Sequence, residues 1–301
     1  MRTLLVYNPN ATTTTRQTID RITDLLSRKL DLEIEATKRR DHAGFLSAGA
    51  AHEGFDLVLA MGGDGTVNEV IQGLARTDVR LGILPGGSTN VWARALGLPN
   101  DAEAAAHLLL ERLAEKRERE VNLGEADDRY FCFAAGLGYD AEVVRAVERR
   151  YRLKRTVRQA SFLWCGLWAY LGGYDRDARI TVSDAAGVSS EPLRSVVVCN
   201  SNPFTYLGPW PARVCPGADL ENGLAATGVR TLSLPALARL AERAFRGGDI
   251  TALPFTRTWT DQAVLTLRSE TPLPLQVDGD YLGERTQVVL RSVPQVLRVV
   301  A

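Results

Sequence analysis

The string Gly62-Gly63-Asp64-Gly65-Thr66-Val67-Asn68 follows the apolar run Phe55-Asp56-Leu57-Val58-Leu59-Ala60-Met61 and precedes Glu69-Val70-Ile71-Gln72-Gly73-Leu74-Ala75, whose spacing is helical. A strand, a glycine turn and a helix start in that order make an anion site. Glycines let the backbone approach a phosphate, and the helix N-terminus offers free N–H groups and a favourable dipole. Asp64 repels a phosphate, so a carboxylate at this place calls for a bridging divalent cation. A tight connection in an α/β sheet also favours Gly and Asp. Glycine on both sides of Asp64, with Thr66, Asn68 and Glu69, is more than such a turn needs.

A second string of this kind, Pro85-Gly86-Gly87-Ser88-Thr89-Asn90-Val91-Trp92-Ala93-Arg94, follows the apolar residues 81–84. A third turn, Asn8-Pro9-Asn10-Ala11 and then Thr12 to Thr15, offers hydroxyls at a helix start; phosphate contact and ordinary N-capping by threonine are both open there. Periodicity predicts strands at 4–7, 32–37, 57–61 and 81–84 and helices at 15–29, 43–53, 67–75, 89–97 and 101–116. Such βαβ units imply a parallel sheet with helices on both faces, its ligand site beyond the C-terminal strand ends. Asn8, Thr37, Gly62 and Pro85 each follow a strand, so their turns are expected to converge at that edge.

After Glu120 the texture changes. Segments at 121–124, 130–134, 179–184, 193–199, 212–215, 224–229, 263–268, 274–277 and 286–290 read as strands, and helices become sparse. The expected organisation is an α/β nucleotide-binding domain with a parallel sheet over 1–120 and a β-sandwich-like domain over 121–292. A C-terminal strand over 293–301 is expected to return to the first domain. The chain has 301 residues and a formal net charge of zero, so no global field favours nucleic acid. Four cysteines without a C-x-x-C pair, and only three histidines, argue against a zinc site or a histidine triad. The N-terminus reads as a short strand rather than a signal peptide, and no apolar stretch reaches membrane-spanning length. The expectation is a cytoplasmic protein.

The pair of glycine turns resembles the diacylglycerol kinase catalytic family, in its bacterial lipid kinase branch, related to sphingosine kinases and NAD kinases. NAD kinases share the first turn but not the second. Asn8-Pro9 matches the family's opening motif, with the threonine run in place of a nearby glycine. Thr37, ahead of Asp41-His42-Ala43, matches a threonine and a following His-Ala. Ala134-Ala135-Gly136-Leu137-Gly138-Tyr139-Asp140 resembles the glycine-rich entry to the second domain. Leu220-Glu221-Asn222-Gly223-Leu224 resembles a structural metal loop, and Asp278-Gly279-Asp280 lies where the family has Asp-Gly-Glu. The likeness spans nearly the whole chain. Three positions depart from it: Val91 where Asp is frequent, Asp280 for Glu, and Asn222 for Asp.

The resemblance implies an ATP-dependent kinase using Mg²⁺. Gly62, Gly63, Gly65 and Thr66 would hold the ATP phosphates, with Asn8, Thr37, Asn68 and Ser88 completing the nucleotide contacts. Asp64 would orient Mg²⁺. Asp280 would be the general base, with Asp278 assisting or holding metal. The residues alone also read as a hairpin turn at 278–280. Asp219, Asn222 and Leu224 would bind a structural cation, the first and last through carbonyls; a plain turn at Asn222-Gly223 is the other reading. The implied acceptor is a lipid alcohol, diacylglycerol by default, with sphingoid or other long-chain alcohols as alternatives.

Arg145, Arg149, Arg150, Arg152, Lys154, Arg155 and Arg158 beside the apolar, aromatic run 162–171 suit peripheral contact with an anionic membrane surface; on the residues alone a solvated helix face followed by a core helix is slightly favoured. An open sheet edge in the second domain is a candidate homodimer contact. Rival readings are a soluble-substrate kinase, an inactive nucleotide-binding regulatory module and, last, a dinucleotide oxidoreductase, whose Gly-x-Gly-x-x-Gly spacing is missing.

Overall fold

Runs that are apolar at every position become strands buried on both faces, and helices with one apolar stripe cover them. The computed structural model describes residues 1–151, 174, 178–188 and 191–301. It divides into two compact units, Met1–Leu123 with Pro294–Ala301, and Gly124–Val293.

In the first unit β1 (Arg2–Tyr7), β2 (Asp31–Ala36), β3 (Leu57–Gly62) and β4 (Arg80–Pro85) form a parallel sheet in the order β2-β1-β3-β4. Every residue of β3 is buried, as a central parallel strand requires. The helices are α1 (Arg16–Ser27), α2 (His42–His52), α3 (Asp64–Leu74), α4 (Val91–Ala95) and α5 (Ala102–Ala114). Ile22 and Leu26 of α1 and Ala105, Ala106 and Leu109 of α5 pack with Leu5, Leu59 and Leu84 into one core. Thr15 caps α1, its hydroxyl accepting from the Thr18 N–H at 3.1 Å. The last residues of the chain extend this sheet: Val299 lies beside Leu81 in parallel, and the Val300 N–H donates to the Leu81 carbonyl at 2.9 Å.

The second unit is rich in antiparallel strands. Following β5 (Arg119–Ala126), which enters it from the first unit, are β6 (Arg129–Phe131), β7 (Ala134–Gly138), α6 (Tyr139–Tyr151), β8 (Ile180–Asp184), β9 (Gly187–Val188) and β10 (Ser195–Cys199). Then come β11 (Thr205–Leu207), β12 (Trp210–Ala212), β13 (Leu224–Val229), α7 (Leu234–Arg246), β14 (Thr256–Gln262), β15 (Val264–Val277) and β16 (Asp280–Val299). β15 changes partner along its length. Thr266 to Ser269 pair with β8, whereas Leu275 to Val277 pair with β7. The register shift between Arg268 and Leu273 bends the strand between those partners. Val182 and Leu267 therefore share a core with Val196, Val198 and Leu224.

Strands dominate after Glu120, as expected, with α6 and α7 the helices among the described residues. α7 begins Leu234-Pro235; Ala236 and Ala244 are buried and Leu237 and Leu240 pack on the core, while Arg239, Arg243 and Arg246 turn out. Segments expected as separate strands at 263–268 and 274–277 are one strand, β15, and those at 286–290 and 294–300 belong to β16.

Candidate active site

In the sheet order β2-β1-β3-β4, connections leave β1 and β3 in opposite directions, so a crevice opens beyond their C-terminal ends. Asn8 follows β1 there, and Gly62 ends β3. The Asn8 N–H donates to the Met61 carbonyl at 2.9 Å, and its side-chain amide donates to the Thr66 hydroxyl at 3.2 Å. Thr37 joins the same edge, its N–H donating to the Tyr7 carbonyl at 2.8 Å.

The two glycine turns pack against each other. The Gly86 N–H donates to the Gly62 carbonyl at 2.7 Å. A Cβ on Gly87 would stand 2.7 Å from the Gly63 Cα, and one on Gly86 would stand 3.0 Å from the Gly62 Cα and 2.5 Å from the Thr14 hydroxyl. The threonine run closes the group, with the Thr13 N–H donating to the Gly86 carbonyl at 2.9 Å. Gly86 and Gly87 are thus accounted for by packing, and Gly62 by the Thr66 side chain, which a Cβ would meet at 2.6 Å; at Gly63 a Cβ would make only ordinary contact. Gly65 is different: it is exposed in the first turn of α3, its φ is not left-handed, and a Cβ there would meet nothing within 4 Å. Among the described residues no atom requires glycine at 65; a ligand lying against the N-terminus of α3 would.

Asp64, the first residue of α3, accepts the Trp92 N–H on Oδ1 at 3.2 Å and so ties α3 to the start of α4. Its carboxylate is a hard oxygen donor at an open helix start, a donor type that suits Mg²⁺. Thr66 is buried beneath the turn, and Ser88 is exposed at the tip of the second one. Asn68 is 1 % exposed and accepts from the Gln72 amide at 3.2 Å, so it is turned into the unit. Asn90 holds the second turn in shape from a left-handed conformation at φ 50°. It accepts the Gly87 N–H at 2.9 Å and donates to the Gly87 carbonyl at 2.9 Å and to Asn100 Oδ1 at 2.7 Å. Val91 is buried beside it.

In the second unit Asp278 and Gly279, both at positive φ, form a two-residue hairpin turn joining Val277 to Asp280. The Asp278 carboxylate accepts three backbone N–H groups, from Cys132 at 2.7 Å and from Phe133 and Ala134 at 3.0 Å each. It is an anchor for the 132–134 segment. Asp280 is half-buried and paired with Arg129 at 2.9 Å. Asp219 and Asn222 lie in a turn, where Asp219 Oδ1 accepts the Glu221 N–H at 3.0 Å, and Leu224 begins β13. Among the described residues no three His, Cys, Asp or Glu side chains converge as a metal site.

One carboxylate was not assigned from sequence. Asp140, in the first turn of α6, accepts the Gln276 amide at 2.7 Å, and Gln276 in turn accepts the Gly279 N–H at 2.9 Å. Burial pushes the Asp140 carboxyl up to about 6, opposed by the Gln276 hydrogen bond. A Cβ on Gly136 would collide with the Asp140 carboxylate, so the glycine of that string makes room for it. Burial also pushes the Cys199 thiol well up, reinforced by its hydrogen bond to Cys215. Of the basic cluster, Arg145 is committed to Glu142 at 2.5 Å and Glu284 at 3.1 Å. The stretch 152–171 lies outside the described residues.

A parallel α/β unit with paired glycine turns, joined in sequence to a strand-rich antiparallel unit, is the architecture of the diacylglycerol kinase and NAD kinase fold. Residues 2–126 match the diacylglycerol kinase catalytic domain. A diacylglycerol kinase of Staphylococcus aureus (strain JH9) is 28% identical over 295 residues, covering 94% of this chain and 87% of its own. Among solved structures, a diacylglycerol kinase from Bacillus anthracis str. Sterne superposes with a TM-score of 0.74 at 20% identity, covering 99% of this chain and 96% of its own. An NAD kinase from Archaeoglobus fulgidus in complex with ATP does so with a TM-score of 0.55 at 12% identity, over 100% and 94% of the two chains. Over residues 2–126 the chain is similar to the diacylglycerol kinase catalytic domain, and that similarity supports a kinase.

Proposed function

We propose that the protein transfers the γ-phosphoryl group of ATP to the hydroxyl of a lipid alcohol, diacylglycerol by default, giving phosphatidic acid. The observation that carries the nucleotide half is Gly65, a glycine without a packing reason at the open N-terminus of α3. The diacylglycerol kinase relatives support the lipid half.

Phosphoryl transfer asks for positioning and charge neutralisation more than covalent chemistry. The N–H groups around Gly63, Gly65 and Thr66 hold the phosphates, and Asn8 fixes the Thr66 hydroxyl among them. Thr37 and Ser88 flank the nucleotide. Asn68 acts from beneath, through Gln72 and the α3 backbone, rather than by direct contact. Mg²⁺, when bound, neutralises the phosphate charge, and Asp64 is the residue that would hold it. Asp280 accepts the proton of the attacking hydroxyl as its oxygen bonds to the γ-phosphorus and ADP leaves. Arg129 sets the direction of that carboxylate, and Asp278 anchors the turn that presents it. A cation at Asp219, Asn222 and the Leu224 carbonyl would brace the entry to β13.

Purified protein with labelled ATP and Mg²⁺, in mixed micelles with diacylglycerol, with sphingosine or with no added lipid, tests this. Label in lipid that depends on diacylglycerol is the expected result. ATP binding without lipid-dependent transfer would overturn it.

A further inference from the structure

We propose that the outer face of α2 and the loop before it are a docking surface for an anionic lipid bilayer. The inference rests on the lipid-acceptor reading above and names where the membrane is met.

α2 reads His42-Ala43-Gly44-Phe45-Leu46-Ser47-Ala48-Gly49-Ala50-Ala51-His52 and contains no Asp, Glu, Lys or Arg. A surface helix of a soluble protein ordinarily carries charge on its outward face. The inward face is fixed. Ala43, Ser47 and Ala50 are buried. A Cβ on Gly44 would stand 2.9 Å from the Glu69 carbonyl oxygen, so α2 lies very close to α3. The Ser47 hydroxyl also donates to the Val70 carbonyl at 3.0 Å, and the Ala43 N–H to the Glu69 carboxylate at 3.1 Å. The helix has no room to roll, and no inward position can take a large side chain.

What remains outward is the stripe His42, Phe45, Ala48 and His52, at helical spacing. Phe45 is 71 % exposed, more than any other large apolar residue described. It stacks on the His42 ring, with centroids 6.3 Å apart and planes 8° from parallel. Directly before this stripe come Lys38, Arg39 and Arg40, all exposed, against one carboxylate, Asp41. The Lys38 N–H donates to His42 Nδ1 at 3.2 Å, which ties the cationic loop to the apolar stripe. The pattern is that of an interfacial helix: an aromatic and small residues to enter the headgroup layer, cations to meet its charge. Net charge over the chain is zero, so this attraction is local. The loop follows Thr37, at the sheet edge that carries the glycine turns.

Co-sedimentation with vesicles of phosphatidylcholine alone, and of phosphatidylcholine with phosphatidylglycerol, tests the surface without turnover. The wild type is expected on the anionic vesicles, less so as salt is added. The triple variant Lys38→Gln, Arg39→Gln, Arg40→Gln should partition on the order of 100-fold more weakly. Phe45→Ser should lose roughly tenfold on the same vesicles. Both variants should keep turnover of a short-chain, water-soluble diacylglycerol. Vesicle binding equal to wild type in both would overturn the proposal, whatever the turnover. A raised KM for ATP in the triple variant with unchanged vesicle binding would assign the cations to the nucleotide and also overturn it. Vesicle binding that depends on these residues in a protein that phosphorylates no lipid would leave the surface standing and remove the acceptor reading instead.

Discussion

Gly87 comes so near Gly63 that a Cβ on Gly87 would stand 2.7 Å from the Gly63 Cα, closer than packed carbon atoms tolerate. The two glycine turns are therefore one packed object. Gly87→Ala should push them apart, lower stability by about 1–3 kcal/mol and weaken ATP binding with it. Gly65→Ala should do the opposite to stability. Its Cβ enters open space in a helical residue, so stability should hold or rise by up to about 1 kcal/mol. ATP affinity should nevertheless fall, because the methyl occupies the place of the phosphate. Thermal melts and nucleotide titration of both variants check the split. Equal ATP affinity in Gly65→Ala and wild type would remove the phosphate from the N-terminus of α3.

The carboxylates on either side of Gly279 differ in what they touch. Asp278 answers three buried N–H groups, and its left-handed φ of 47° suits Asp or Asn far better than Ala. Asp278→Ala should cost about 3 kcal/mol or more, since the donors lose a charged acceptor. Asp278→Asn keeps one acceptor oxygen and the backbone preference, and should cost clearly less. Asp280 pairs with Arg129 and is partly exposed. Asp280→Asn should change stability by no more than about 1 kcal/mol while lowering turnover on the order of 10²–10⁴-fold with ATP binding intact. Denaturant unfolding beside single-substrate kinetics reads both; normal turnover in Asp280→Asn would take the base away from that position.

Much of this was legible in the chain. An unbroken apolar run followed by glycine marks β3 and its turn, because a central parallel strand is buried on both faces. Alternating strand and helix likewise places Asn8, Thr37 and Gly62 at one sheet edge. What sequence alone did not separate is the cause of each glycine. Gly86 and Gly87 answer to contacts with the first turn and the threonine run, and Gly62 to Thr66, whereas Gly65 answers to none of the described residues, and only tertiary structure tells these apart. Asp278 and Asp280 look alike in the string Asp278-Gly279-Asp280. The N–H groups that occupy Asp278 come from residues 132–134, far back along the chain. α7 escaped notice because it sits among β-like segments, although Ser233, Pro235 and Gly247 bracket it with helix start and stop signals. Asp140 stood in a glycine string that resembles the entry to the second domain, and nothing in the string itself marks Gly136 as space cleared for a carboxylate.

Asn90 carries three hydrogen bonds from a left-handed backbone while 3 % exposed, and it sets the shape of the turn that presents Ser88. Asn90→Ala should lose all three and strain the backbone, at a cost of about 3 kcal/mol. Asn90→Asp keeps the acceptor for the Gly87 N–H but meets the Gly87 carbonyl and Asn100 Oδ1 without a donor. It should recover only part of the loss. Melting temperatures of the two variants check the order; an Asn90→Ala protein as stable as wild type would mean the turn is held by its glycines alone.

Asp140 gives the fold a dependence on pH that can be signed. Burial raises its folded-state value from 3.8 to about 6. Between those values the folded protein binds the proton more tightly than the unfolded chain does. Its contribution therefore favours folding below about pH 4, falls as pH rises to about 6, and stays low above that. The size is on the order of 3 kcal/mol. Asp140→Asn cannot titrate and can still accept the Gln276 amide through its side-chain oxygen. The variant should gain on the wild type steadily from pH 4 to 6 and hold that gain at pH 8. Urea unfolding of both proteins across this range gives the difference directly, with the contributions of other carboxylates cancelling. A difference that stays constant from pH 4 to 8 would mean that Asp140 is already ionised at pH 4 in the folded protein, with Gln276 outweighing burial.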